Sequence, residues 1–206
     1  MKTLNIANVK SAKQAGFTII ELIVVILLLG ILSATALPRF IDVTDQAHRA
    51  AFDGVLGGFS TGMALGKAQW VANSEPTTAA AGLVGFGSGN ARLTAGTAPD
   101  RGVVVGTTNN TFDANADCSE IFNAVLQGGR PAIIAATPNV PANGPLTGDV
   151  TTAIVAGTDW YGFFGGTGTT CTYVYAGQFR TTGSGTAPTF TLTANGGEIV
   201  EGTLAI

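Results

Sequence analysis

Hydrophobic and polar positions divide the chain into stretches of different periodicity. From Phe17 to Pro38 the run FTIIELIVVILLLGILSATALP is apolar on every side, and Glu21 is its one ionisable group. Its 22 residues span ~33 Å as a helix at about 1.5 Å per residue, which matches a bilayer core of about 30 Å. Beyond Arg39 the pattern becomes amphipathic. Phe52, Leu56, Phe59, Met63 and Trp70 recur at spacings of four, three, four and seven, a helical stripe that fits the face packed on the protein's own sheet. Phe40, Val43 and Ala47 begin a similar stripe one segment earlier. Together the two segments predict one helix of about 55 residues, reaching roughly 80 Å, which is too long to be one globular core element. Gly54, Gly57, Gly58, Gly62 and Gly66 are unusual here, since a glycine costs about 1 kcal/mol in a helix interior. The expected return is close approach of another backbone.

From Asn73 the composition shifts to Ala, Gly, Thr and Pro, and the periodicity shortens. Ser74-Glu75-Pro76 ends the helix, and residues 76–100 read as a loop over the head. Arg101–Val105, Ala132–Ala136 and Thr152–Val155 are short strand candidates. Asp117-Cys118-Ser119-Glu120 has the form of a capping box, with Asp117 as the cap of a helix over Cys118–Gln127 that Gly128-Gly129 stops. Trp160–Phe164 and Thr170–Phe179 alternate around Gly165-Gly166-Thr167-Gly168 and predict a hairpin. Thr189–Thr193 and Glu198–Leu204 flank Asn195-Gly196, the best hairpin turn signal in the chain. The expected fold is α+β: a long N-terminal helix packed on one face of an antiparallel sheet.

Composition narrows the function classes. Of 206 residues only 11% are charged, against about 25% in an average soluble domain. Lys and Arg total 10 and the net charge is −3, which excludes a nucleic-acid-binding protein built on a basic face. The hydrophobic share of 46% excludes a disordered polar chain. One histidine and two cysteines make no zinc site. Asp113-Ala114-Asn115-Ala116-Asp117 starts like a calcium loop, but Cys118 stands where glycine is needed and Ala124 where the closing glutamate belongs. Turn-forming Asp and Asn are the default there. The glycines between Gly82 and Gly89 lack the Gly-Lys-Ser/Thr ending of a phosphate loop. Asn109-Asn110-Thr111 fits a glycan acceptor by pattern alone. His48 has no nucleophile placed beside it and is expected at the surface or a subunit contact. Nothing supports an enzyme, a metal or a cofactor.

The N-terminus carries the functional signal. Residues 1–16 hold Lys2, Lys10 and Lys13 and no acid, which predicts that this end stays in the cytoplasm. An ordinary secretory signal, cut after Ala36 in Ala34-Thr35-Ala36, would release a soluble exported binding protein. Glu21 speaks against that alternative. A carboxylate in the apolar region costs roughly 2.5 kcal/mol or more at the bilayer centre, and an export signal has no use for it. A permanent single-span anchor explains the length of the run but not Glu21.

Gly16-Phe17-Thr18-Ile19-Ile20-Glu21-Leu22 resembles the prepilin motif of type IV pilins and type II secretion pseudopilins. Ala36-Leu37-Pro38-Arg39-Phe40 resembles the mannose-sensitive haemagglutinin branch of the pilins, and Asp159-Trp160-Tyr161-Gly162-Phe163 loosely so. The likeness is strong over residues 14–40 and weak beyond residue 72. It implies a leader at 1–16, an apolar membrane and filament-core helix at 17–38, an amphipathic continuation at 39–72 and a head at 73–206. A prepilin peptidase would cut between Gly16 and Phe17 and methylate the new Phe17 amine. Glu21 would pair with that amine on an adjacent subunit, because an unpaired buried charge is too costly to persist. Gly30 and Pro38 fall where the family loosens the helix.

The resemblance further implies a subunit of a homopolymer, with the peptidase, an assembly platform, the inner membrane and surface glycans as partners. The precursor would sit in the inner membrane and the product on the cell surface. Losing Lys2, Lys10 and Lys13 leaves seven basic against 13 acidic side chains, a side-chain charge of −6 that argues against broad DNA binding. Trp160, if outside the core, would serve adhesion. The alternative within the family is the pseudopilin of a type II secretion system. Cys118 and Cys171 form an even pair in an exported chain, which suggests one disulfide; two buried free thiols are the alternative. The bond would close a loop of about 53 residues, worth roughly 4 kcal/mol by chain entropy, and the resemblance favours it.

Overall fold

The computed structural model describes residues 16–73, 83, 86, 91–93, 102–106, 114–128, 131–135, 138–139, 147–148, 158–165, 169–179 and 185–205, with backbone alone for 40–42, 138–139, 147–148 and 179. The chain divides into two compact units, 1–44 and 45–206. One helix, α1 (Ile19–Ala72), has residues in both.

In the first unit, α1 begins after Thr18 and runs unbroken over Gly30 and Pro38. Pro38 offers no N–H to the carbonyl four residues back. Thr35, three residues earlier, turns its hydroxyl onto the helix and donates to the Leu32 carbonyl at 3.0 Å. The large apolar side chains from Ile19 to Leu37 stand between 42% and 79% exposed. By length and composition this stretch can cross a membrane, with a mean hydropathy of 2.7 over its most apolar window.

In the second unit the expected helical stripe is the core. Phe52, Phe59, Met63 and Trp70 are buried, and Leu56 packs against the same cluster. Phe52 stacks on Trp160 at 5.8 Å, and Phe59 lies between Tyr173 and Phe190 at 5.1 and 5.0 Å. Aromatic pairs at these spacings add about 0.5–1.5 kcal/mol each beyond their buried area.

Short strands β1 (Arg92–Leu93) and β2 (Val104–Gly106) form an antiparallel pair. The expected loop over 76–100 is therefore corrected at its centre: Leu83, Phe86, Ala91 and Leu93 are buried, and the Leu83 N–H donates to the Ala91 carbonyl at 2.7 Å. Pairs this short leave no periodicity in a sequence.

Helix α2 (Asn115–Val125) starts three residues before the expected position. Ala114, in an extended conformation, is the cap. Asp117 sits in the first turn, where its carboxylate accepts the Ala114 N–H at 2.9 Å while its own N–H donates to the Ala114 carbonyl at 3.1 Å. The acid thus serves the helix start from inside it, three residues after the cap. Leu126 turns extended, so the helix also ends before Gln127.

The principal sheet contains β3 (Ile133–Ala135), β6 (Trp160–Gly165), β7 (Thr170–Tyr175), β8 (Thr186–Thr193) and β9 (Ile199–Ala205), in the order β3-β6-β7-β8-β9. A separate antiparallel pair joins β4 (Pro138–Asn139) to β5 (Thr147–Gly148). Both predicted hairpins are present, with Trp160 opposite Tyr175 and Leu192 opposite Ile199. The turn of the second is longer than the Asn-Gly pair alone: Gly196 and Gly197 both take positive φ, 79° and 70°, and Thr193 donates to Glu198 at 2.9 Å. Strand β7 stops at Tyr175, and the predicted continuation to Phe179 is a short 3-10 turn, Gly177–Phe179.

Two features depart from the expected sheet. Strand β3 runs parallel to β6, with Ile133 opposite Trp160. The connection over 136–159 is long enough for the crossover of about a dozen residues that a parallel pair requires. The sheet is also buried on both faces. Trp160, Tyr173, Tyr175, Phe190 and Leu192 join the helix core, while Tyr161, Phe163, Val174, Ala176 and Ala187 form a second cluster. The predicted strand Thr152–Val155, Asp113, Asn109 and most of Gly82–Gly89 lie outside the described residues.

Candidate functional site

The start of α1 is built by two side chains. Thr18 is the last non-helical residue, and its hydroxyl accepts the Glu21 N–H at 3.3 Å. Glu21 reaches back: one carboxylate oxygen accepts the Thr18 N–H at 3.1 Å and the Thr18 hydroxyl at 3.0 Å. This reciprocal arrangement satisfies helix N–H groups that have no partner in the helix itself. It also places negative charge at the positive end of the helix dipole. Glu21 is thereby hydrogen-bonded within its own chain before any second subunit is present.

Sequence reading missed the role of Thr18. The signal was available, because Thr18-Ile19-Ile20-Glu21 before an apolar run is itself the capping-box pattern. Phe17, next in line, is 91% exposed, and Gly16 has no neighbour within 4 Å of where a Cβ would stand. Gly30 likewise borders open space. Gly16, Phe17 and Glu21 therefore cluster at one helix start, while Gly30 and Pro38 lie farther along the helix.

Three further expectations are settled in the second unit. Cys118 of α2 and Cys171 of β7 form a disulfide, with Cα atoms 5.4 Å apart and 53 residues between them in sequence. Trp160 is buried at 2% exposure, so the idea of an exposed adhesive Trp160 is corrected: the ring fills the core against Phe52 and Phe122. His48 is not a free surface group. Its Nδ1 lies 2.8 Å from the Tyr175 hydroxyl, which ties α1 to β7 within the head. Among the described residues no group of three or more His, Cys, Asp or Glu side chains stands close enough to hold a metal.

Residues 11–37 match the family described as the prokaryotic N-terminal methylation motif. The match covers Gly16, Phe17, the Thr18–Glu21 cap and the apolar run together. Over 57 residues the chain is also 46% identical to the type IV narrow pilus major component of Thermus thermophilus, covering 28% of this chain and 49% of that protein. Over its N-terminal segment the chain is similar to the type IV pilins. The likeness spans about half the length of the curated relative. No solved structure matches the chain. For a type IV pilin the α+β architecture is in keeping, with a long N-terminal helix and a mostly antiparallel sheet. Prepilin motif and apolar helix together fit an inner-membrane precursor that is assembled into an extracellular pilus.

Proposed function

We propose that this pilin is a structural subunit of a pilus of the mannose-sensitive haemagglutinin type, which polymerises through α1 and attaches cells to surfaces. The observation that carries the proposal is the register of the methylation motif. Gly16 and Phe17 directly precede a capped helix that is apolar on every side. A prepilin peptidase cuts between Gly16 and Phe17, removes the leader at 1–16 and methylates the Phe17 amine. The apolar segment 17–38 holds the subunit in the inner membrane, and an assembly platform then transfers it to the filament. There the same surface is buried against other subunits. The Glu21 carboxylate moves from its Thr18 bonds to the Phe17 amine of an adjacent subunit and so sets the register. Gly30 and Pro38 let the helix between them extend in the assembled state. Attachment to surfaces or glycans falls to the exposed loops of the head, since Trp160 is part of the core.

N-terminal sequencing and intact mass of the protein from its producing cell test the first step. A start at methylated Phe17 is expected. A start at Leu37 would remove the assembly helix and overturn the proposal. Imaging of sheared cells tests the second step: long surface filaments are expected. Filaments confined to the periplasm would reassign the chain to a type II secretion pseudopilus.

A further inference from the structure

We propose that the free edge of β9 is a docking surface for a second copy of this chain, the two β9 strands pairing antiparallel about Gly202. Such a contact needs no filament and does not involve α1. Among the described residues β9 ends the order of the principal sheet and pairs with β8 along one side only. It is seven residues long, and Val200, Glu201, Gly202, Thr203 and Ala205 are exposed. The opposite edge, β3, offers three residues.

A long strand edge presents a row of unpaired N–H and C=O groups that can template another strand. Natural proteins blunt such edges with lysine, proline, a bulge or an inward-pointing charge. Strand β9 holds no lysine and no proline. Its pairing runs without a bulge from Thr186 opposite Ala205 to Leu192 opposite Ile199. Val200, 51% exposed, adds an apolar side chain to the open surface. Glu201 is the one charge on the strand. It lies opposite Phe190 of the helix core, so it points to the inner face. There it selects a register rather than closing the edge.

The occupant follows from the sequence of the edge itself, Ile-Val-Glu-Gly-Thr-Leu-Ala. A two-fold axis at Gly202 sets Ile199 against Ala205, Val200 against Leu204 and Glu201 against Thr203, with Gly202 facing its own copy. Every residue of β9 then has a partner on β9. Apolar side chains meet apolar ones, and the carboxylate meets a hydroxyl. The two Glu201 residues fall on a diagonal, about 7–8 Å apart. An axis at Glu201 would oppose them directly, which is destabilising, and would leave both ends of β9 without a β9 partner. A two-fold interface requires this self-complementarity, because one patch serves both copies.

The seam is about 24 Å long and one strand deep. That is small beside the ~800 Å² which each partner gives to a standard interface. Contact between single chains is therefore brief, and a covalent trap is the measurement suited to it.

The test uses the full chain in detergent, which sheathes the apolar helix. Cys118 and Cys171 are the chain's two cysteines and are joined to each other, so an introduced cysteine is the one free thiol. In Gly202→Cys the new thiols face each other across the axis. Opposed Cα atoms of an antiparallel pair stand about 4.5–5.5 Å apart, within disulfide range. In Val200→Cys they are four residues out of step, about 14 Å apart and beyond that range. Under mild oxidation Gly202→Cys is expected to form dimers about tenfold faster than Val200→Cys, which reports chance collision. Equal rates would overturn the pairing. A Cβ at Gly202 meets the Thr189 hydroxyl at 3.2 Å, so a second reading keeps Gly202 intact. Val200→Cys and Leu204→Cys chains are mixed and oxidised together. Mixed dimers are expected to exceed dimers of either chain with itself by about tenfold. Chance proportions in the mixture would overturn the pairing, and this reading decides if Gly202→Cys melts early.

Discussion

Helix α1 is one element by hydrogen bonding but two by chemistry. Between Ile19 and Leu37 nearly every side chain is apolar and exposed. Between Asp45 and Ala72 the aromatic and long apolar side chains follow one stripe, on which Phe52, Phe59, Met63 and Trp70 are buried, while Leu65 and Val71 stand exposed beside it. An amphipathic helix can satisfy itself within one chain by laying its stripe on a sheet. A helix that is apolar on every side cannot, since whichever face it covers leaves the rest exposed. The first must be completed by lipid or by other subunits, and the second already has its aromatic stripe covered. Stability of the head and assembly of the filament should therefore respond to different residues.

The largest separation is expected between two large-to-small substitutions on the same helix. Phe59 is fully buried among Phe122, Tyr173 and Phe190. Phe59→Ala is expected to destabilise the head by about 3–5 kcal/mol through the lost transfer energy and the cavity left behind. Leu28 is 56% exposed. Leu28→Ala should leave the melting temperature of the detergent-solubilised chain within about a degree, since it removes no packed contact. Thermal melts of both variants check this. Equal losses would show that the first half of α1 belongs to the folded core, and the comparison would fail.

How much of this was legible in the sequence follows the same division. The stripe from Phe52 to Trp70 and the hairpins were readable because periodicity reports burial on one face. The N-terminal run was readable because length and lack of charge are its whole content. The rest turned on local or long-range partners. Asp117 could be seen to start a helix, but not that it would do so from the first turn below Ala114. Strands β1 and β2 are too short to show a period, and the second cluster around Tyr161 and Val174 breaks the one-face rule that alternation assumes. Thr18 was in plain view within a recognised motif. Its capping role is local, carried by bonds to Glu21 in the same turn, whereas the resemblance assigns Glu21 a partner on another subunit.

A smaller effect separates the regions by pH. Tyr173 is buried, donates to the Cys118 carbonyl at 2.9 Å, and is held well above the usual phenol range by that burial. As pH rises through about 10, the unfolded chain gives up this proton first. The unfolded state then binds fewer protons than the folded one, and stability falls as pH rises. The stabilising contribution is fully present below about pH 10 and is lost above it. With Cys118 and Cys171 joined in the disulfide, no free thiol complicates the titration. Melting curves between pH 8 and 11 should show a steeper alkaline decline for the wild type than for Tyr173→Phe. Identical slopes would remove Tyr173 as the cause.

The smallest effect should stay within the first turn of α1. Thr18→Val keeps the shape of the side chain but removes the hydroxyl that gives to Glu21 and receives from its N–H. Loss of such a cap costs about 1 kcal/mol. In hydrogen exchange that corresponds to about fivefold faster exchange at the Glu21 amide. Thr18→Ser restores the hydroxyl and should restore the protection. Neither change should move the melting temperature, because the head folds around Phe59 and its neighbours rather than around the helix start. If Thr18→Val also lowered the melting temperature and Thr18→Ser rescued it, the cap would support the head as well. If exchange stayed at the wild-type rate, the Glu21 carboxylate would already be engaged elsewhere in the detergent-held chain. Only exchange that is faster while melting is unchanged fits a helix whose two halves are stabilised separately.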